Sequence, residues 1–352
     1  MANEAGNKIN KEIDERLRKI MEQRNIHNEV VVNAGEDSLD DVSINEGEAE
    51  DNMLIERSPR VQKIHPLNQI IYGAPGTGKT HSTVEYALAI IENREIEKNQ
   101  ISDEERREKI KQYEQYIKKE QVVFTTFHQS YGYEEFVQGI RPEPAGEKVS
   151  FKIADGIFKK IADKAMLDES NNYVIIIDEI NRGNISKIFG ELITLVEEDK
   201  RWGELNQMSA TLPFGDKLAV PNNLYIIGTM NSADKSISLI DAALRRRFDF
   251  VEMAPNPEMV KDSELRNVLV NLNKYLRKEL RSTDLLIGHS YFIGKNISQL
   301  GKIMNRNIIP LLYEYFYDDE AKVKKALECI DGTRFEIDNR VLGRVCIKIK
   351  DN

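Results

Sequence analysis

Cysteine is scarce in this sequence, which has only Cys329 and Cys346 among its 352 residues. The two residues have neither CxxC spacing nor a neighbouring histidine cluster, so neither a disulfide framework nor a zinc site is indicated. We therefore expect two reduced thiols in a protein of a reducing compartment.

Long apolar runs and an excess of positive charge are also missing. No stretch approaches the roughly 18 apolar residues of a membrane span, and the N-terminal Met1–Glu4 lacks the basic-then-apolar plan of a signal peptide. The net charge is −9, so the overall balance does not indicate nucleic-acid binding. These absences predict a cytoplasmic protein with no membrane partner, in which DNA contacts come from a local basic patch or from another chain.

The chain divides by pattern into three parts. Residues 1–60 contain an amphipathic stretch at 8–24 and a segment, 36–51, with eight acids and no base. We predict a short helix there, which packs on a neighbouring element or docks to another subunit, and then a flexible linker. Residues 61–254 are predicted to form a large α/β nucleotide-binding domain, and residues 255–352 a smaller, mostly helical lid domain.

Four short apolar runs, at 69–72, 121–125, 173–177 and 224–228, are typical of buried parallel strands. An apolar stripe over residues 185–196 predicts one crossover helix, and residues 92–120 a charged, exposed helical insertion. This alternation indicates an α/β fold with a parallel sheet between helices. Helices are predicted at 258–281, 298–317 and 319–329, followed by a segment at 334–349 that is rich in Val, Ile and Phe.

A phosphate-binding loop is predicted between the first apolar run and the helix-prone stretch 82–91. The string GAPGTGKT fits GxxxxGK[ST] in its strand-to-helix context, so that backbone N–H groups can surround an anion at a helix N-terminus. Lys79 is then expected to reach the β- and γ-phosphates, and Thr80 to hold Mg²⁺. The expected nucleotide contacts are Gly73, Ala74, Pro75, Gly76, Thr77, Gly78, Lys79, Thr80 and His81.

Polar residues at the ends of two later strands complete the predicted chemistry. Asp178 is expected to orient the metal and its waters, and Glu179 to polarise the attacking water. Asn231 can donate to the γ-phosphate or to that water. The arginines at 245–247 form either a surface cluster or a finger that acts on a neighbouring subunit's nucleotide, and we favour the finger.

Five segments carry a specific resemblance: GAPGTGKT (73–80), FHQSYGYEEFVQGIRP (127–142), IIIDEINRGNISKIFGEL (175–192), IIGTMNSADKSISLIDAALRRRFDF (226–250) and IGHSYF (287–292). Together they resemble the McrB family of AAA+ proteins, the GTP-hydrolysing motor subunits of McrBC-type, modification-dependent restriction systems. The resemblance covers about residues 66–320, and the MNxxD and DEINR elements are more specific than the phosphate loop.

The resemblance implies roles for further residues. Asn231 looks like the sensor on the γ-phosphate side, within the MNxxD element that ends at Asp234. Asn181 and Arg182 match a segment that faces the subunit junction and helps to position the catalytic water. Asp241, Arg246 and Arg247 match positions at the junction, where the two arginines are the finger candidates. His289, followed by Ser290, is either a nucleotide contact or a buried lid histidine with satisfied hydrogen bonds.

The resemblance also implies a substrate and partners. These are GTP, with ATP as an alternative, Mg²⁺, a homo-oligomeric ring (a hexamer), a McrC-like nuclease subunit, and DNA bound through that complex in antiviral defence. Family members usually carry a folded DNA-reading domain ahead of the motor. The first 60 or so residues here are polar and acidic, so we do not expect them to form a pocket for an extruded base.

Three hypotheses follow for the function. The leading one is a ring-forming GTPase that drives DNA translocation or activates a nuclease. A second is a scaffold that nucleotide assembles without turnover, which the presence of Lys79, Asp178, Glu179 and Asn231 disfavours. A third is an ATP-dependent chaperone of the MoxR kind.

Overall fold

The computed structural model describes residues 63–97, 102–145, 148–234, 242–330, 335–338 and 343–350. The helix predicted at 8–24 and the linker predicted at 36–51 lie outside these residues. The described residues within His65–Ala210 and Ala219–Asn352 pack as one compact unit, and Thr211–Leu218 is assigned to another.

The strands in chain order are β1 (Asn68–Gly73), β2 (Val122–Thr126), β3 (Gln138–Ala145), β4 (Lys148–Asp155), β5 (Tyr173–Asp178), β6 (Ala210–Thr211), β7 (Lys217–Leu218), β8 (Leu224–Asn231), β9 (Asp249–Glu252), β10 (Phe335–Asp338) and β11 (Cys346–Ile349).

The α-helices in chain order are α1 (Lys79–Ile91), α2 (Asp103–Lys118), α3 (Tyr133–Phe136), α4 (Ile157–Leu167), α5 (Ile185–Phe189), α6 (Leu192–Leu195), α7 (Ala242–Arg245), α8 (Ser263–Leu280), α9 (Leu300–Ile303), α10 (Ile309–Tyr315) and α11 (Glu320–Glu328).

Five parallel strands form the main sheet in the order β2-β5-β8-β1-β9. The register sets Thr126 beside Asp178 and Gly73 beside Asn231, so the carboxyl ends of four strands meet at one edge. Helices flank the sheet, with α1 and α4 both packed against β5 and β8. The predicted parallel α/β sheet between helices is confirmed. The fifth strand, β9, was not predicted because four residues with acids at both ends give no apolar run.

The predicted crossover helix is two helices, α5 and α6, rather than one. Gly190 lies between them with φ at +49°, outside the helical region, and a Cβ there would lie 2.9 Å from Cε2 of Tyr133. The apolar stripe spans both helices, because it records which side chains are buried and not whether the backbone continues. The prediction of a single helix was therefore wrong.

The helix predicted at 298–317 is also interrupted. A π-helical turn, Met304–Ile308, separates α9 from α10, and Pro310 stands near the start of α10. Proline has no N–H to donate and its ring crowds the carbonyl four residues earlier, so a widened turn accommodates it. The other lid helices, α8 and α11, confirm the predictions at 258–281 and 319–329, and the apolar C-terminal segment contains the antiparallel pair β10–β11.

An antiparallel ribbon, β3–β4, was not predicted. Its register pairs Ile140 with Ile153 and Pro142 with Phe151, which gives the ribbon an apolar face. Phe151 is 71% exposed on it. The sequence analysis did not predict the ribbon, since the first part of β3 was read only as a family motif and no strand was assigned to residues 148–155.

Two further predictions can be compared with the described residues. Cys329 is exposed and Cys346 is buried, and both are free thiols. Within the described part of the chain, no helix combines the length and the apolar character that a membrane crossing needs.

Candidate functional site

The phosphate loop, Gly73–Thr80, joins β1 to α1. Gly78 is the N-cap residue of α1 with φ at +85°, and no side chain caps the helix. The N–H groups of the first turn therefore have no side-chain acceptor, and glycine is the residue that adopts this left-handed backbone without strain. Such an uncapped N-terminus behind a glycine-rich turn can bind a phosphate.

Lys79 folds back on this loop. Its Nζ donates to the carbonyl oxygens of Gly73 and Ala74, both at 2.8 Å. Burial lowers the pKa of Lys79, while the nearby carboxylates of Glu179 and Asp178 raise it. The ammonium group therefore lies within electrostatic reach of the loop and of both acids.

The two acids follow one another at the end of β5. Thr80 Oγ1 donates to Asp178 Oδ1 at 2.8 Å, which joins the phosphate loop to the first acid. Glu179 has φ at +52°, a left-handed backbone that non-glycine residues seldom adopt. Arg182 Nε donates to Glu179 Oε2 at 3.2 Å. The sequence-predicted pair thus lies directly against the loop.

A threonine that sequence reasoning did not single out bridges the two acids. Thr229 Oγ1 donates to Asp178 Oδ1 at 2.5 Å and accepts from the Glu179 N–H at 3.1 Å. The one available signal was its position in β8, two residues before Asn231, because such residues share a face of a strand.

The MNxxD and DEINR elements contact each other. Arg182 forms an ion pair with Asp234, with NH2 and Oδ2 3.4 Å apart. Asn231 ends β8 beside Gly73, and its Oδ1 accepts from the Ala233 N–H at 3.3 Å. Asn181 is buried, and its Oδ1 has no hydrogen-bond partner among the described residues. A cavity of about 380 Å³ is lined by Arg182, Asn231, Asp234 and lid residues that include Tyr315.

The three arginines lie in different surroundings. Arg245 and Arg246 are both exposed, and the guanidinium of Arg245 lies 5.3 Å from the centre of the Phe250 ring. Arg247 is partly buried and hydrogen-bonded to Glu197. Asp241, assigned to the subunit junction by resemblance, lies outside the described residues.

The arginines are at the sheet edge opposite the phosphate loop. Asn68, the first residue of β1, donates through Nδ2 to the carbonyl of Arg247 at 2.9 Å, whereas the loop follows the last residue of β1. At a rise of about 3.3 Å per residue the two ends of β1 are on the order of 15 Å apart. Arg246 and Arg247 are therefore not brought to the phosphate loop of their own chain.

The lid loop packs directly on the phosphate loop. The Gly288 N–H donates to Pro75 O at 3.0 Å, and the Ser290 N–H donates to Gly76 O at 2.9 Å. A Cβ on Gly288 would lie 2.0 Å from the carbonyl carbon of Gly76, so only glycine permits this approach.

His289 is buried between these two contacts. Its Nδ1 accepts from the Asn256 N–H at 3.1 Å, so the neutral ring carries its proton on Nε2. Burial lowers the pKa of His289. Nε2 is 4.0 Å from the place where a Cβ of Gly78 would stand, so this donor faces the phosphate loop. The two roles that the sequence left open for His289, a buried lid histidine and a nucleotide contact, are thus compatible.

His81 is placed differently. It lies on the exposed side of α1 and its Nε2 contacts the guanidinium of Arg106 on α2. Burial and this cation lower the pKa of His81. His81, expected from sequence to contact the nucleotide, therefore contacts the charged helix α2 in this structure.

Mg²⁺ is compatible with the donor set. The Thr80 hydroxyl and the Asp178 carboxylate are the oxygen ligands that this ion prefers, and they already lie within hydrogen-bond distance of each other. No group of three or more His, Cys, Asp or Glu that could hold a metal occurs within the described ranges.

Comparison with known proteins identifies the family. A model described as "McrB, alpha-helical lid domain" matches residues 264–324, and one described as "AAA domain (dynein-related subfamily)" matches residues 106–248. The Escherichia coli (strain K12) "Type IV methyl-directed restriction enzyme EcoKMcrB subunit" is 39% identical over 234 residues, which cover 58% of this chain. The chain is a member of the McrB family of AAA+ proteins. The match spans about half (49%) of that relative.

Two further matches accompany this family membership. The Bacillus subtilis (strain 168) "Type II restriction enzyme BsuMI component YdiS" is 24% identical over 318 residues, covering 77% of this chain and 84% of that protein. A crystal structure of a protein assigned as an ATPase from Cytophaga hutchinsonii overlaps 80% of this chain and 78% of its own at 13% identity, with a TM-score of 0.31. That score is too low to support a structural argument. The McrB and AAA matches support nucleotide hydrolysis as the class of activity.

Proposed function

We propose that this McrB-family protein hydrolyses GTP in the presence of Mg²⁺ at the junction between identical subunits of a ring. The observation that carries the proposal is the hydrogen bond of 2.8 Å from Thr80 to Asp178, which joins the phosphate loop to the two acids. Acids that merely end a strand at the protein surface need not contact the phosphate loop, whereas Asp178 does.

Each residue of the site has a part in the proposed reaction. The N–H groups of the loop and Lys79 bind the β- and γ-phosphates, and Thr80 and Asp178 would hold Mg²⁺, which supplies charge neutralisation when bound. Glu179 orients a water and accepts its proton as the water oxygen bonds to the γ-phosphorus. The bond from that phosphorus to the bridging oxygen breaks, which releases GDP and phosphate. Asn231 holds the γ-phosphate or the water in line.

A cation from the neighbouring subunit completes the site in this proposal. Arg246 is exposed at the sheet edge away from its own phosphate loop, so an arginine finger at this position acts in trans. Arg247 is held by Glu197 and can position the finger. Asp241 is proposed for the same junction by resemblance.

The biological setting is proposed from the relatives. Both curated relatives are named as parts of restriction enzymes. We therefore propose that the ring works with a McrC-like nuclease subunit and contacts DNA through that complex, in defence against foreign DNA. GTP rather than ATP is proposed from the same family membership.

The test is nucleotide turnover by the purified chain. Wild type is expected to hydrolyse GTP faster than ATP, and faster still with a McrC-like partner. Glu179→Gln should still bind nucleotide but lose turnover by about 100-fold or more, because the base is neutralised while its shape is kept. Glu169→Gln, a change at an exposed acid that precedes β5, whereas Glu179 follows it, is the matched control. Absence of hydrolysis of either nucleotide under every condition would remove the proposal.

A further inference from the structure

Thr229 has a buried hydroxyl in an otherwise apolar part of β8. The side chain is 2% exposed, and the residues before it, from Leu224 to Gly228, are all buried. Valine has the same shape and suits a buried strand, so packing alone does not account for a hydroxyl at this position.

Both hydrogen-bonding capacities of this hydroxyl are used, and both are directed at the acids. Its hydrogen goes to Asp178 Oδ1 at 2.5 Å, and its oxygen accepts the backbone N–H of Glu179 at 3.1 Å. The first bond sets the rotation of the Asp178 carboxylate, since Oδ1 also accepts from Thr80. The second holds the backbone of Glu179, which has φ at +52°.

The held conformation is unfavourable by itself. A non-glycine residue in the left-handed region needs support from its surroundings, and such residues concentrate at functional sites. The Glu179 N–H is the group through which β8 provides that support. Without the hydroxyl, the backbone of Glu179 is free to relax, and the direction of its side chain changes with it.

We infer that Thr229 is a positioning residue that holds Asp178 and Glu179 in their working arrangement. It acts through both acids at once, on the rotation of one carboxylate and on the backbone of the other. The inference rests on the proposed function, because it gives the two acids their roles at the nucleotide.

The experiment compares Thr229→Val, which removes the hydroxyl at constant shape, with Thr229→Ser, which keeps it. For Thr229→Val, kcat for GTP is expected to fall by about 10- to 100-fold, as for other residues that orient a metal ligand, with KM little changed. Thr229→Ser should stay near wild type. The Mg²⁺ concentration that half-saturates binding of a non-hydrolysable GTP analogue should rise in Thr229→Val alone.

The Mg²⁺ titration separates this inference from the proposed function. If wild type hydrolyses no nucleotide, the proposed function fails, yet a raised Mg²⁺ requirement in Thr229→Val still supports the positioning role. Equal kcat and equal Mg²⁺ requirement in the two variants would overturn the inference, as would a higher KM at unchanged kcat. Thermal melting establishes folding, and Thr229→Ala, with the same expectations, replaces Thr229→Val if the latter does not fold.

Discussion

At the scale of single residues, three consecutive arginines lie in three different surroundings. Arg245 stacks on Phe250, Arg247 binds Glu197, and Arg246 is exposed. Arg245 is exposed too, but its guanidinium lies over the Phe250 ring, so Arg246 is the best suited of the three to reach a neighbour's phosphate. The sequence alone left Arg246 and Arg247 as equal candidates.

We predict that Arg246→Ala lowers kcat for GTP by about 1,000-fold or more, the usual value of an arginine finger. Turnover should partly return when this variant is mixed with Glu179→Gln. In a mixed ring some junctions combine the intact acid of one chain with the intact arginine of the other. Arg245→Ala is the matched control and should lose far less. A mixture as inactive as its components would contradict action in trans.

A second residue-scale prediction concerns the pH dependence of stability. The pKa of His289 is lowered from 6.5 by burial, so the folded protein takes up this proton less readily than the unfolded chain. The contribution of neutral His289 to the stability of the fold is therefore fully present above about pH 6.5 and is lost as the pH falls below it. Protonation also removes the acceptor of the Asn256 N–H.

The measurement is the melting temperature of wild type and His289→Gln between about pH 7.5 and pH 5.5, the range over which histidine titrates. Wild type should lose more on acidification, because glutamine stays neutral. His81, whose pKa is also lowered, contributes with the same sign in both proteins and cancels in the comparison. Parallel curves would show that His289 does not titrate in this way.

At the scale of elements, a buried arginine joins the start of two strands. Arg201 is fully buried and donates to the carbonyl oxygens of Val196, Pro221 and Leu224 and to Asn68 Oδ1. Burial lowers its pKa to about 9. Since Asn68 in turn binds the carbonyl of Arg247, this group anchors the arginine segment to the sheet.

We predict that Arg201→Ala lowers the free energy of unfolding by about 3 kcal/mol, because it leaves buried oxygens unpaired and a cavity behind. Chemical denaturation measures the change, and Arg277→Ala on the exposed side of α8 is the control, with an expected change below about 0.5 kcal/mol. A loss of similar size in both variants would argue against a special role for the buried arginine.

At the scale of the whole molecule, the nucleotide-binding residues and the proposed arginine finger lie at opposite edges of the sheet. The phosphate loop, both acids and the lid loop meet at the carboxyl edge of the sheet, while the exposed arginine lies at the opposite edge. In the proposed ring, a second copy with its arginine edge against the first copy's nucleotide edge would supply the cation. Such a head-to-tail contact is heterologous, and it forms a ring when the rotation closes.

We predict that wild type forms a ring-sized oligomer in a non-hydrolysable GTP analogue with Mg²⁺, and a smaller species without nucleotide. Light scattering coupled to gel filtration gives the mass. Lys79→Ala, which loses the phosphate contact, is expected to remain small under both conditions. A monomer in saturating analogue would be inconsistent with catalysis across a junction.

The local pattern of the sequence determined four strands of the main sheet, the phosphate loop and the pair Asp178–Glu179, because apolar runs and a glycine-rich turn act over a few residues and leave a direct signature. The break in the helix at Gly190 and the contacts of Thr229 with both acids were decided by the tertiary structure. Both depend on a neighbour distant in sequence, the ring of Tyr133 in one case and the two acids of β5 in the other. The position of Arg246 at the far edge of the sheet was likewise decided by the tertiary structure, because Arg246 precedes β9 and β9 runs parallel to β1. Spacing along a chain records which residues are near each other only within one element, and packing brings the rest together.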